Sequence, residues 1–326
     1  MASACESIAL RMMSLLKSPL VPNARLVLEF IQRRRYARIA RNEEQGMVHQ
    51  WFLLCGQASK DWLLNPHPAE LRKLLPPNDR TWADPFLWKH EEDWFVFCEE
   101  WIFGKPHGHI AVIQVSRDGR ALSSSRPVLM KEHHLSYPFL FEHQGSLHML
   151  PEGGGGRAIE LYECEEFPAR WRKKATLMRD IEYVDATLFE HQARWWLFVT
   201  IKRGLFALNR DLFVFWARDP LADHWTPHPA NPVVRSFRRA RSAGRVFEVG
   251  GRLFRPSQDC LVRYGHSLNI NEILQLDTKH YAERLVTEVR PDWEEGIRGN
   301  HHIDWRDGRV VMDALRLLPA AAEGKG

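Results

Sequence analysis

A short apolar strand, a polar turn and a second apolar strand recur five times along the chain. The first copy is ADPFLWKHEEDWFVFCEE at 83–100, and the later copies begin at residues 136, 184, 242 and 299. Their equivalent apolar anchors are Trp88, Phe141, Phe189, Phe247 and Ile303, at intervals of 48 to 58 residues. A hairpin that recurs at this period predicts an all-β radial repeat, most simply a five-bladed β-propeller in which each hairpin forms the inner half of a blade.

The segments between these hairpins show the alternation of apolar and polar residues that is typical of outer strands. The last copy, 299–316, supplies only two strands. We therefore expect the apolar strand at 49–55 to complete the fifth blade, because closing the ring removes an exposed sheet edge. The chain is thus divided into a helical, basic N-terminal extension at 1–47, a propeller at 48–318 and a disordered tail at 319–326.

Composition limits the cellular setting and the partners. The net charge of +4 is small for 326 residues, so we expect no nucleic-acid partner. The five cysteines are widely spread and form no CxxC pair, which is typical of reduced thiols in a cytoplasmic protein. No apolar run approaches the roughly 18 residues of a membrane span. We expect a cytoplasmic protein that is soluble or at most bound to a membrane surface.

The N-terminal region is predicted to form helices at 5–17 and 24–42. In the second helix, apolar residues share one face and five arginines crowd the other. The favoured interpretation is a helix that packs on the propeller and leaves its basic face in water. The alternative is peripheral contact with anionic lipid or with a partner protein through 24–42.

Carboxylates carry the clearest chemical signal. The position four residues before each anchor is predicted to lie near the central channel, and it is Asp84 in blade one and Asp185 in blade three. Glu152, beside four glycines, is a candidate third acid. Two or three carboxylates around one pocket can perform acid–base chemistry on a glycosidic bond, so these three are the candidate catalytic residues. The alternative is that each is an ordinary turn or strand-end residue.

Polar residues at related points of the repeats are candidate substrate ligands, because arginine and histidine bind hydroxyls or an anionic sugar or phosphate group. They are His134, Tyr137, Arg241, Arg255, Gln258, Asp259 and His301. The histidine pairs lack a zinc signature such as HExxH, so we predict neither a metal ligand set nor a cofactor. One histidine of each pair is expected to be structural.

Several motifs together resemble a known family. They are ADPFLW, HLSYPFLFE, LPE, ELYECEEFPARW, HPANPVV, ARSAGRVF, FRPSQDC followed by YG, and GNHHIDW. Over roughly residues 48–316 the chain resembles the N-terminal domain of plant glucosamine inositolphosphorylceramide transferase and its bacterial relatives. That domain is similar in turn to the five-bladed propeller glycosidases of the arabinanase and β-xylosidase type.

The resemblance implies roles for particular residues. The glycosidase pattern makes Asp84 the general base, makes Asp185 the residue that tunes the proton donor, and allows a central cation or water near His301. Blade four departs from the pattern, because Ser242-Ala243-Gly244 stands where the glycosidases carry the acidic donor. Glu152 or Asp259 would have to replace that donor, or the protein is not a hydrolase. The transferase domain of the plant enzyme is a separate part, so its activity does not carry over.

Three functions remain open. The first is a carbohydrate-active enzyme, glycosidase-like or glycosyl-transferring, that serves polysaccharide or glycolipid metabolism. The second is a non-catalytic module that binds a sugar or glycoconjugate, including an anionic one. The third is a protein-interaction propeller, which would not need acids, arginines and histidines together at the axis.

Overall fold

The computed structural model describes residues 29, 32, 46–202 and 209–319 of the 326-residue chain. Residues 29 and 32 are helical, and the remainder of the predicted helices at 5–17 and 24–42 lies outside the described residues. Almost all of the predicted tail also lies outside them. The described chain forms five antiparallel sheets, which are the blades of the predicted all-β, five-bladed propeller.

The strands follow in chain order, blade by blade. The chain enters through β1 (Met47–Gln57), two short 3₁₀ helices (Asp61–Leu64 and Pro68–Glu70) and β2 (Arg72–Leu74). Blade one contains β3 (Arg80–His90), β4 (Asp93–Ile102), β5 (His109–Val115) and β6 (Arg126–Leu129). Blade two contains β7 (His134–His143), β8 (Ser146–Gly154), β9 (Ala158–Glu166) and β10 (Arg170–Arg179).

Blade three contains β11 (Tyr183–His191), β12 (Arg194–Ile201), β13 (Asp211–Ala217), β14 (Thr226–Pro227) and β15 (Val234–Arg235). Blade four contains β16 (Phe247–Val249), β17 (Arg252–Asp259), β18 (Ser267–Leu276) and β19 (Tyr281–Val289). Blade five contains β20 (Ile297–Gly299), β21 (Ile303–Arg306) and β22 (Arg309–Pro319), with β1 and β2 outside them. Residues 228–233 lie between the short strands β14 and β15 and form no strand of their own.

The ring closes as the sequence predicts. Strand β1 pairs antiparallel with β22 along its whole length, from Met47 opposite Pro319 to Gln57 opposite Arg309. Successive side chains of β1 point to opposite faces of the blade. Phe52 and Leu54 pack in the cluster that includes blade four, whereas Leu53 packs against blade one. Residues 51–55 are therefore buried on both faces of the blade, which explains why this apolar run does not alternate with polar residues.

Candidate functional site

The predicted axial positions share one backbone conformation in blades one to three. Asp84, Tyr137 and Asp185 have φ values of 51°, 46° and 53°. Each stands where the pairing register of the inner hairpin shifts, which marks a bulge. All three residues are at most 1% exposed. The repeat in sequence is therefore also a repeat in shape, because the same left-handed bulge residue recurs in three blades.

Asp84 belongs to a network that also includes blade five. Its amide donates to Asp313 Oδ2 at 3.1 Å, and Asp313 Oδ1 accepts the amides of His301 and His302 at 2.9 Å each. The His301 ring lies between carboxylates, with Nδ1 2.7 Å from Asp313 Oδ2 and Nε2 3.6 Å from Asp84 Oδ1. It stacks on Trp51 at 4.0 Å. Blade five thus holds a histidine and a second acid against Asp84.

Burial and charge set the protonation of this network. Burial raises the pKa of Asp84 to about 8, with His301 opposing and Asp185 adding to the rise. Burial alone would lower the pKa of His301, but the charges of Asp313 and Asp84 outweigh it and raise that pKa. The pKa of Asp313 is lowered because His301 outweighs the effect of its burial. At neutral pH the network therefore favours a protonated Asp84 and an imidazolium–carboxylate pair between His301 and Asp313.

Asp185 is the centre of a second network, formed by blades two, three and four. Arg241 contacts both of its carboxylate oxygens through Nε and Nη2, and Gln258 Nε2 donates to Oδ2 at 3.1 Å. The Asp185 amide donates to Glu152 Oε2 at 3.2 Å. Arg241 also reaches Glu152 at 3.7 Å and donates to Asn209 Oδ1 at 3.0 Å. Asp185 is therefore a paired carboxylate that is fixed on both sides.

Glu152 differs from Asp185 although the two groups touch. Burial is the largest cause that raises the pKa of Glu152 well above its ordinary value, and the negative charge of Asp185 adds to it. A groove of about 320 Å³ opens over Glu152 and is bordered by Gly153, Gly154 and Tyr183. Glu152 is thus an axial acid that borders a surface groove and favours its protonated form.

His134 and Tyr137 have different surroundings. His134 Nδ1 accepts the amide N–H of Gly108 at 3.0 Å, and its Nε2 lies 3.2 Å from Glu99 Oε1. The Tyr137 hydroxyl lies 2.7 Å from Thr187 Oγ1 and accepts the amide N–H of Gly244 at 3.0 Å. Tyr137 therefore joins blades two, three and four inside the ring, whereas His134 is partly exposed.

Two predicted ligands make their contacts elsewhere. Arg255 donates from Nε and Nη2 to the Glu283 carboxylate, at 2.9 Å each, within blade four. Asp259 accepts from Arg238 Nη1 at 2.9 Å and from the amide of Leu261 at 2.8 Å. Among the described contacts, neither makes a hydrogen bond or ion pair with the axial acids. Arg241, which does reach them, is neutralised by Asp185, so neither predicted arginine offers a free charge to an anionic ligand.

Sequence reasoning missed three members of the axial networks: Asp313, Asn209 and Tyr264. Asp313 interrupts the apolar run VVMDAL of β22, and a lone acid in a buried strand was a usable signal. The Tyr264 hydroxyl lies 2.8 Å from His301 Nε2, and its ring lies 4.7 Å from the Arg241 guanidinium. The sequence does not indicate that Asn209 belongs to the site, because the residues around it match no repeated motif.

The resemblance allows a cation at the centre of the ring, and the geometry of these residues shows whether they could bind one. Ligand atoms of Asp84, His301 and Asp313 lie within 4.8 Å of one another, and Asp84 Oδ1 is buried without a hydrogen-bond partner among the described residues. Both ring nitrogens of His301, however, already face Asp313 and Tyr264. The charges of Asp313 and Asp84 also raise the pKa of His301, which favours a protonated ring that has no lone pair for a cation. This arrangement does not fit a cation ligated by His301.

The fold and the site define a five-bladed β-propeller with an acid-lined axis. The same fold occurs in the GH62 α-L-arabinofuranosidase domain of Coprinopsis cinerea, with a TM-score of 0.51 and 11% identity over 72% of this chain and 90% of that chain. It also occurs in the GH32 β-fructofuranosidase of Bombyx mori, with a TM-score of 0.51 and 10% identity over 86% of this chain and 61% of that one.

The family is more specific than the fold. Residues 76–314 match the family described as glucosamine inositolphosphorylceramide transferase 1, N-terminal, and the chain belongs to that family. It is 32% identical over 233 residues to glucosamine inositolphosphorylceramide transferase 1 of Oryza sativa subsp. japonica, and 30% identical over 232 residues to that of Arabidopsis thaliana. These matches cover 68% of this chain, and the chain spans about a third of each relative, 31% and 30%. Among the described residues, no helix is long and apolar enough to cross a membrane.

Proposed function

We propose that the axial site binds a glycosyl unit of a sugar or glycoconjugate, and that this propeller is a carbohydrate-recognition unit of glycolipid or polysaccharide metabolism. The observation that carries the proposal is the convergence of Asp84, Asp185 and Glu152 in linked polar networks at the ring axis. Carboxylates, amides and histidines that converge in this way match the hydroxyl groups of a sugar, because each can donate or accept hydrogen bonds.

The contacts of the axial acids favour recognition of a sugar over hydrolysis of a glycoside. Arg241 holds Asp185, and blade four carries no acid at the matching position. A pKa of about 8 for Asp84 means that this group is mostly protonated at neutral pH, so it is a poor general base there. The groove over Glu152 supplies a route by which a sugar reaches the axial acids.

Glycosyl chemistry is the second candidate, and the raised pKa of Glu152 favours it. A protonated carboxyl beside a paired carboxylate is the division of states that glycoside cleavage needs in its acid and its second carboxylate. In this version Glu152 donates the proton, Asp185 orients the sugar, and Asp84 becomes the base after it loses its proton. The transferase activity named for the plant relatives enters here as a proposal, with a glucosamine unit as the first sugar to test.

The charge of the ligand follows from the same contacts. Of the predicted arginines, Arg241 faces the axial acids and is paired with Asp185, while Arg255 is paired with Glu283. A neutral or amino sugar therefore suits the site better than a phosphorylated one. Contact with a membrane or partner protein through 24–42 and a cytoplasmic location remain predictions.

Binding and turnover are tested separately. Calorimetry with glucosamine, arabinose and xylose measures binding, and aryl glycosides and nucleotide sugars of the same units measure turnover. We expect one of the free sugars to bind, and we expect Leu122→Ala, on an exposed loop of blade one, to bind it equally well. If no sugar binds, the recognition proposal is wrong.

Turnover decides between the two candidates. If the wild-type protein turns over a glycoside, Asp84→Asn and Glu152→Gln should keep binding and lose turnover by several orders of magnitude, because their work lies in the transition state. Good leaving groups should partly rescue Glu152→Gln, since they need less protonation. Binding without turnover supports recognition alone.

A further inference from the structure

Four side chains, those of Asp84, Glu99, His134 and Trp101, form a wall that leads from the buried acids to the surface between blades one and two. Glu99 and Trp101 are two residues apart on β4 and therefore point to the same face of the strand. Side-chain exposure is 2% for Asp84, 13% for Glu99 and 30% for His134, and Trp101 is 40% exposed. This steady increase marks a path that leads outward from the axis.

The wall reaches the strand that lies next to the groove over Glu152. In the hairpin of blade two, His134 pairs with Gly154 and Ser136 pairs with Glu152. A Cβ atom on Gly154 would lie 3.8 Å from the His134 Cβ. Gly154 therefore borders the mouth of the groove, His134 lies beside Gly154, and Trp101 lies beyond His134.

The Trp101 ring is held in a fixed orientation although it is exposed. Its Nε1 donates to the Lys105 carbonyl at 2.8 Å. The ring meets His134 edge-on, with centroids 5.9 Å apart and an interplanar angle of 76°. His134 is itself fixed by Gly108, where an added Cβ would lie 2.8 Å from its Cε1. A lone exposed apolar residue is ordinary, but an aromatic ring fixed beside a polar mouth is a preorganised contact surface.

We propose that Trp101 stacks against a second sugar ring, joined to the one at the axis, and that His134 and Glu99 bind hydroxyls of this neutral extension. Large aromatic rings supply apolar contact area at little entropic cost, and the apolar face of a pyranose or furanose ring fits such a surface. His134 Nδ1 accepts an amide N–H, so its ring is neutral and its Nε2 faces Glu99 Oε1 at 3.2 Å; the pair keeps the negative charge of Glu99, which favours a neutral partner over an anionic one. The ligand class is therefore a disaccharide or longer glycan, and this inference rests on the proposed function.

The experiment compares each free sugar with its dimer. The probes are glucosamine and its β-1,4-linked dimer, arabinose and α-1,5-linked arabinobiose, and xylose and xylobiose, titrated calorimetrically into the full chain. For the sugar that binds, we expect the dimer to bind about five- to ten-fold more tightly. Trp101→Ala should remove this gain and leave the affinity for the monosaccharide unchanged, whereas Trp101→Phe should keep most of it. Leu122→Ala, another exposed apolar side chain of blade one, is the matched control.

A second readout observes the ring directly. The indole N–H resonance of Trp101 is identified as the one that disappears in Trp101→Phe, and we expect it to shift with the dimer but not with the monosaccharide. Equal affinity for monomer and dimer, or an equal loss of both in Trp101→Ala, would overturn the inference while leaving the proposed function standing. Absence of binding by every probe would overturn both.

Discussion

Blades one and three differ from blade four at the same position of the repeat. In blades one and three the axial bulge carries an acid, Asp84 or Asp185. In blade four the equivalent residue is Ala243, and Gly244 follows with a φ of 128°. The backbone of blade five lies against this point, because the amide of Ile303 donates to the Ala243 carbonyl at 2.9 Å. At this position of the repeat, blade four thus meets the axis with its backbone, whereas blades one and three meet it with side chains.

This difference between the blades shows which axial positions have space for a chemically active side chain. A Cβ atom on Gly244 would lie 1.8 Å from the Ile303 carbonyl oxygen, so residue 244 of blade four cannot carry an acidic side chain. Blade four instead contributes Arg241 and Gln258, and both bind Asp185. Where a glycosidase has its acidic donor, this chain has a contact that closes the ring and a cation that neutralises the acid of blade three.

The largest expected effect comes from restoring a side chain to blade four. Gly244→Ala should prevent the recovery of soluble folded protein, because the new Cβ overlaps a backbone carbonyl that cannot move without opening blade five. The measurement is the yield of soluble protein and its circular dichroism. Gly250→Ala is the matched control: its φ is also positive at 56°, but no described atom lies within 4 Å of the added Cβ. It should cost only about 1–2 kcal/mol.

A smaller effect is expected from removing the cation of blade four. Arg241→Leu leaves Asp185 buried without its charge partner, which should lower the free energy of unfolding by about 3–5 kcal/mol. Adding Asp185→Asn should recover part of the loss, because the second change removes the unpaired charge. Denaturant unfolding measures both variants. The control is Arg252→Leu, an exposed arginine whose partner Glu272 keeps its contact with Arg284, and it is expected within about 1 kcal/mol of wild type. Additive losses in the double variant would show that the pair is not coupled.

The contrast between blades also explains what the sequence predicts and what it does not. The hairpin period and the closing strand 49–55 follow from local patterning, so the fold is predictable. The axial positions of Asp84 and Asp185 follow from the repeat. Arg255 shares the basic character of Arg241 but lies on β17, where its guanidinium pairs with Glu283 of β19, and the sequence alone does not indicate this pairing. Asn209 reaches the site from a loop, whose path no repeat determines.

The smallest expected effect is a pH dependence of the stability of the fold, which arises from Asp84, the acid of blade one. The folded-state pKa of Asp84 is about 8, mainly because of burial, against about 3.9 in an unfolded chain. The stability that this group contributes is therefore fully present below about pH 4 and is lost as pH rises towards 8. The side-chain amide that Asp84→Asn introduces has the shape of the protonated acid and does not titrate. We expect the melting temperature of the variant to gain on that of the wild type between pH 5 and 8, by a few degrees.

The control for this prediction titrates in the opposite direction. Asp277 accepts the amides of Lys279 and His280 at 2.7 and 2.8 Å, which lowers its pKa. Its stabilising effect is present at neutral pH and is lost in acid, so Asp277→Asn should fall below wild type at pH 7 and approach it as pH falls. The pKa of His301 is also raised, so stability from this group too is lost as pH rises, and neither the wild type nor Asp84→Asn should be flat between pH 5 and 8. Parallel melting curves for Asp84→Asn and wild type across that range would mean that Asp84 is ionised in the folded protein. Asp84 would then be available as a base at neutral pH, and glycosyl chemistry would become the better account of the axial acids.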